Sequence, residues 1–136
     1  MKPTDALRAP LLALALSAAP AAHADIVIIT GANATIAPSI EQVCQVFLGK
    51  LKSPTPITLL EQNPTRDEFY LKACRKDPAQ VRAMWGKLIF TGTGTPPREV
   101  ASPAEMKKAV ATTAGSVGYI DRKDLDATVK VIAAAN

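Results

Sequence analysis

The sequence predicts an α/β fold, a mostly parallel sheet flanked by helices, and two observations carry that reading. Asp25-Ile-Val-Ile-Ile-Thr30 is an unbroken β-branched run, the composition of a strand covered on both faces. Helix-start signatures then recur at Ser39, Thr65, Asp77 and Ser102, separated by strand-like segments. Strands alternating with helices call for layers rather than for a bundle or a sandwich.

The elements follow in order. After the first strand, Gly31-Ala-Asn-Ala-Thr leads into a loop. Ser39 opens a helix, with Gln42 three residues on as the second half of a capping box and Ile40, Val43, Val46 and Phe47 on one apolar face. Gly49 is placed to end that helix in the left-handed conformation. Beyond Ser53-Pro-Thr-Pro, Ile57-Thr-Leu-Leu-Glu61 reads as a second short strand. Thr65-Arg-Asp-Glu68 has the form of another capping box, followed by Phe69 and Ala73 at helical spacing. Asp77-Pro-Ala-Gln80 repeats the pattern with Pro at the first helical position, for a helix running through Val81, Met84, Trp85 and Leu88. Thr91-Gly-Thr-Gly-Thr-Pro-Pro-Arg98 is a loop. Ser102-Pro-Ala-Glu105 starts a fourth helix, and Gly115 to Ile120 and Val129 to Ile132 read as the remaining strands.

Residues 1–24 read as a cleaved export signal: Lys2 and Arg8, an apolar stretch from Leu11 to Ala22, and Ala22-His23-Ala24 as the cleavage pattern. Pro10 and Pro20 argue against a retained helix there. The stretch is short of the roughly 20 residues needed to cross a bilayer. The expectation is a periplasmic protein without a membrane span, residues 25–136 forming a single domain.

Composition narrows the chemistry. Lys2, Arg8 and Asp5 leave with the signal, so 14 basic residues face 11 acidic ones, a net charge of +3. That mild bias lacks the basic clusters interleaved with aromatics of a nucleic-acid surface. The one histidine, His23, also leaves, which removes Ser-His-Asp and Cys-His nucleophile systems and most zinc sites. Asp121, Asp124 and Asp126 do not have the spacing of a calcium loop. The expectation is a protein that is not an enzyme and carries no cofactor or metal. Cys44 and Cys74 form a structural disulfide if the chain is exported; two separate buried thiols are the alternative.

On physical grounds the start of the helix at Thr65 is the best anion-site candidate. Backbone N–H groups and the positive dipole end converge there, the Thr65 hydroxyl can donate, and Arg66 adds a charged fork. Gln62 and Asn63 are secondary donors beside it. The plainer reading makes Thr65 only an N-cap and Arg66 a solvated side chain. Thr30 and Asn33 are candidates by position, just past the end of the first strand, where ligands gather in open α/β sheets. The Thr91 to Thr95 loop with Arg98 offers hydroxyls and flexible backbone to an anion, but it fits neither the Walker nor the dinucleotide pattern. Trp85 and Tyr119 read as packing residues.

Four segments in order resemble the phosphate-binding-protein branch of the periplasmic substrate-binding proteins of ABC transporters. They are Ile26 to Asn33, Ile40-Glu-Gln-Val with Val46-Phe-Leu-Gly-Lys50, Thr65-Arg-Asp-Glu-Phe69, and Gly115-Ser-Val-Gly-Tyr-Ile120. The resemblance implies one three-layer lobe of a type 2 periplasmic-binding-protein fold, its sheet mixed and mostly parallel with about four helices. It also implies an oxyanion ligand, phosphate or similar, at the turn that Thr65 matches, and an ABC permease as partner; with the physical reading above, the candidate anion site is Thr65, Arg66, Asn63, Gln62 and Thr30. Full-length members are more than twice as long, and where the family has Ser-Gly-Thr this chain has Asn63-Pro64-Thr65. Pro64 removes a backbone donor. A single lobe implies weak binding unless a second chain, for instance in a homodimer, closes over the ligand. The alternative is a single-lobe interaction or sensor module that has lost its ligand and binds another envelope protein.

Overall fold

A computed structural model describes residues 25–135; the expected export signal lies outside the described residues. The elements run β1 (Ile26–Gly31), α1 (Ile40–Phe47), β2 (Thr55–Leu59), α2 (Pro64–Cys74), α3 (Pro78–Phe90), β3 (Arg98–Val100), α4 (Pro103–Thr112), β4 (Ser116–Asp121) and β5 (Val129–Ala135), with a 3-10 turn at Arg122–Asp124. They form one five-stranded sheet in the order β3-β2-β4-β1-β5. β2 pairs in parallel with β3 and β4, whereas β1 pairs antiparallel with β4 and β5. Four strands therefore share a direction and β1 runs against them. Ile26, Val27, Ile28 and Ile29 are fully buried. Coverage of both faces, not strand direction, accounts for the β-branched run of β1.

Adjacent residues of β4 point to opposite faces and define the layers. Gly118 lies against Met106 and Val110 of α4. Tyr119 stacks on Phe69 of α2 at 4.1 Å between ring centroids and meets Phe47 of α1 edge-on at 5.7 Å. Helix α4 thus covers one face while α1 and α2 cover the other, and α3 packs on the outside of α2. A disulfide joins Cys44 of α1 to Cys74, the last residue of α2.

Helix α1 begins at the capping box of Ser39 and Gln42, and α3 at that of Asp77 and Gln80 with Pro78 following. At α4 the Ser102 side chain accepts from the Glu105 N–H, but the Glu105 carboxylate takes the N–H of Ala101 rather than that of Ser102. The Thr65 capping box does not form. Helix α2 starts earlier, with Asn63 as N-cap and Pro64 at the first helical position. Asn is among the best N-caps, and Pro64 has its φ preset for the first turn, so this pair outcompetes a start at Thr65.

Strand limits moved for identifiable reasons. β2 starts at Thr55 rather than Ile57, because Pro56 pairs with β4 while β3 reaches only as far as Ile57 on the other side. β5 extends through Ala133-Ala134-Ala135, residues of low strand propensity held there by pairing with β1. β3 has only three residues and no alternation to betray it.

Three helix ends use the left-handed conformation, at Gly49 after α1, Arg75 after α2 and Gly92 after α3. Gly49 (φ 77°) follows α1; its N–H reaches the Val46 carbonyl, and the Lys50 N–H reaches that of Gln45. After α2 the same geometry falls on Arg75 (φ 56°), with the Lys76 N–H on the Tyr70 carbonyl. A side chain at that φ costs about 1–2 kcal/mol, which glycine avoids while adding some chain entropy. Arg75→Gly is therefore expected to raise unfolding stability by about 0.5–1 kcal/mol, seen as a higher urea midpoint at unchanged slope.

Candidate functional site

The carboxyl end of β2 passes through a turn, closed by the Asn63 N–H on the Leu60 carbonyl at 2.9 Å, into α2. Asn63 Oδ1 accepts the Thr65 N–H at 3.0 Å, the Arg66 N–H reaches the Asn63 carbonyl at 3.0 Å, and Pro64 has no N–H. The first backbone donors of the helix are thus used locally. Thr65 is half-buried, and its hydroxyl makes no hydrogen bond among the described residues.

Arg66 is the organising charge. Its side chain is only 14% exposed. Nη1 donates to the Leu59 carbonyl at 3.0 Å and to Glu99 Oε2 at 3.3 Å, and the guanidinium lies 5.9 Å from the Tyr70 ring centroid. A planar cation against an aromatic face is favourable, and the i, i+4 spacing of Arg66 and Tyr70 produces it. Glu99 comes from β3, where it pairs with Thr58 across the sheet.

Beneath Arg66 lies a set of buried hydroxyls. Thr58 Oγ1 and the Tyr119 hydroxyl share a hydrogen bond of 2.6 Å, and the same phenol oxygen accepts the Leu59 N–H at 3.0 Å. Burial raises the Tyr119 phenol far above its ordinary value despite these bonds, so it remains neutral at any working pH. Tyr70 is 1% exposed, and its hydroxyl has no hydrogen-bond partner among the described residues. Burial also pushes this phenol up; the Arg66 charge and nearby Thr58 pull it partway back.

A groove of about 290 Å³ opens from Arg66, Thr58 and Glu99 toward Arg82, Trp85 and Ile89, and a notch of about 60 Å³ adjoins it at Asp67, Tyr70 and Pro78. Glu61 faces Arg82 at 3.7 Å across the mouth, a pair exposed enough to contribute little. Thr65, on the same helix turn, lines neither cavity, and the arrangement presents a guanidinium and an orphan phenol. This is donor chemistry suited to holding an oxyanion, one that must compete with Glu99 for the Arg66 fork.

Of the residues singled out from sequence, Asn63, Thr65 and Arg66 lie together at the start of α2, but only Arg66 lines the groove, and Gln62 is exposed on the adjoining turn. Thr30 does not join them. Its hydroxyl donates to the Ser116 carbonyl at 2.9 Å, at the start of β4. Since β2 and β4 run parallel, that is the end of the sheet opposite Thr65. The strand-end rule misdirects for Thr30 because β1 is the reversed strand. With Asn33 it borders a separate depression of about 660 Å³. Thr58, Tyr70, Glu99 and the Tyr119 hydroxyl were not singled out as site residues; only the Arg66 to Tyr70 spacing was a readable signal for any of them.

No protein-family model matches the chain, and no curated protein sequence does. Solved structures do match. An ABC-type phosphate transport receptor from Vibrio cholerae superposes with a TM-score of 0.55 at 16% identity, over 79% of this chain and 45% of the receptor. A putative phosphate ABC transporter substrate-binding protein with bound phosphate, from Clostridium perfringens, superposes with a TM-score of 0.61 at 17% identity, over 79% of this chain and 44% of its own. The chain therefore spans less than half the length of these structures. At this identity the likeness is one of fold: a mixed five-stranded sheet with four helices, as in substrate-binding proteins of phosphate ABC transporters.

Proposed function

We propose that the chain is a periplasmic, non-catalytic binding protein that holds phosphate or a similar oxyanion at Arg66, in the manner of the substrate-binding component of an ABC transporter. The observation that carries this reading is a nearly buried guanidinium and an orphan Tyr70 hydroxyl that border one notch at the carboxyl end of β2. Buried polar groups without partners are rare in native proteins, and a ligand is one way to satisfy them. Asn63 shapes the turn, and Gln62 is an accessory donor. One lobe leaves an oxyanion largely open to water, so affinity is weak unless a second chain covers the groove. An ABC permease and a second copy of the chain are the proposed partners.

A second reading also has a specific observation behind it. Glu99 already neutralises Arg66 at 3.3 Å, and the backbone donors at the start of α2 are used. Beside the groove, Ile89 is 54% and Phe90 91% exposed. These features suit an interaction or sensor module that meets another envelope protein.

Calorimetric titration of residues 25–136 with phosphate decides between the two. Binding weakened about tenfold by Arg66→Ala, as loss of a charge-assisted contact implies, reduced by Thr65→Ala and strengthened by Glu99→Gln supports the oxyanion site. No heat from wild type or from Glu99→Gln, with phosphate or sulfate, supports the interaction module.

A further inference from the structure

On the other side of the wall made by Trp85, Pro96 and Pro97 lies a second groove, of about 550 Å³, within the size range of small-molecule sites. It opens at the amino end of β2, beside Thr55 and Pro56, and its outer rim is the loop from Gly92 to Pro97. Two cations line it, Lys52 and Arg98, and no carboxylate does. Neither is in an ion pair among the described residues. The Arg66 groove, by contrast, carries two arginines matched by two glutamates. The floor is apolar, formed by Val46, Leu51, Pro56 and Trp85, while Thr55, Thr93 and Thr95 supply hydroxyls.

The loop is held in place rather than hanging free. The Thr93 N–H reaches the Leu88 carbonyl at 3.0 Å, and the Thr91 and Thr93 hydroxyls share a bond of 2.7 Å. A Cβ at Gly94 would meet Leu88 Cβ at 3.0 Å and the Trp85 ring at 3.3 Å, so glycine lets the loop backbone lie against the indole without displacing either side chain. Trp85 itself is fixed, its Nε1 donating to the Phe47 carbonyl at 3.0 Å. The groove thus has a rigid apolar floor, hydroxyls along its rim and uncompensated positive charge.

We propose that this groove is a binding site for a small organic anion, an acidic head on an apolar or ring-shaped body. The head pairs with Lys52 and Arg98, the threonine hydroxyls orient it, and the body lies on Leu51 and Pro56, beside the exposed edge of Trp85. Two cations without a carboxylate between them select for negative charge, and the apolar floor separates such a ligand from a bare oxyanion, which would leave that surface wet. The inference is independent of the Arg66 site, because it uses different charges at the other end of β2.

The test is amide and indole chemical-shift mapping of residues 25–136 titrated with phenyl phosphate, with inorganic phosphate and phenol in parallel. Saturable shifts of the Gly92 to Thr95 amides, of Lys52 and of the indole N–H of Trp85, the chain's only tryptophan, are expected with phenyl phosphate. They should weaken about tenfold or more in Lys52→Gln/Arg98→Gln, two charge-assisted contacts being lost, and persist in Arg66→Ala. Both substituted residues are exposed, so the variant keeps its fold. Absence of saturable shifts overturns the site. Equal responses to phenol or to inorganic phosphate overturn the anionic head or the apolar body, respectively. Loss of the shifts in Arg66→Ala instead assigns the binding to the other groove.

Discussion

Phe69→Ala is expected to lower unfolding stability by about 3–5 kcal/mol, a large share of the roughly 5–15 kcal/mol that holds a domain of this size together. Phe69 is fully buried, stacks on Tyr119 at 4.1 Å with the rings 3° from parallel, and meets Phe47 and Tyr70 edge-on at 4.8 and 5.1 Å. Removing it leaves a ring-sized void bordered by three other aromatic residues fixed by their own elements, so collapse around the gap is limited. Denaturant unfolding followed through Trp85 measures the loss. A value under about 1 kcal/mol would mean that α2 can re-dock without this ring, since good relaxation is what reduces the cost of a core truncation.

The effect reaches the site by a traceable route. The stack fixes Tyr119, whose hydroxyl holds Thr58 and the Leu59 N–H. The Leu59 carbonyl in turn anchors Arg66. Phe69→Leu keeps most of the volume and is the milder comparison. If it preserves both stability and phosphate binding while Phe69→Ala loses both, the core and the Arg66 geometry are one mechanical unit.

Local chemistry made much of this fold legible, and long-range pairing explains what was not. Capping boxes at Ser39 and Asp77 and the glycine after α1 depend on a few adjacent residues, so the chain announces them. The direction of β1 depends on strands β4 and β5, about a hundred residues away, and nothing within Ile26 to Thr30 encodes it. That hidden reversal is what puts Thr30 at the end of the sheet opposite Thr65. Asn63, Thr65 and Arg66 were readable because they sit together in sequence. Glu99 was not, because it arrives on a three-residue strand and meets Arg66 only through the parallel pairing of β2 and β3. Arg75 in a left-handed position was equally hidden, since the sequence there offers no glycine or asparagine to mark a helix end.

Removing the Cys44–Cys74 bridge is expected to cost about 3–4 kcal/mol, the chain-entropy estimate for a loop closed across a separation of 30 residues. For a domain of about a hundred residues this lowers Tm by on the order of 10–20 °C, measured by comparing oxidised protein with Cys44→Ser/Cys74→Ser. The bridge and the Phe69 cluster act on the same two helices, because Cys44 lies three residues before Phe47 in α1 and Cys74 ends α2. Combining the serine pair with Phe69→Ala therefore separates two accounts of the bridge. If it works by restricting the unfolded chain, the losses add, because truncating a ring in the core leaves that restriction unchanged. If it works by pressing Phe47 onto Phe69, the combined loss falls short of the sum by 0.5 kcal/mol or more, on the order expected for coupled neighbours. Additivity would place the bridge's contribution in the unfolded state, independent of how well the core is packed.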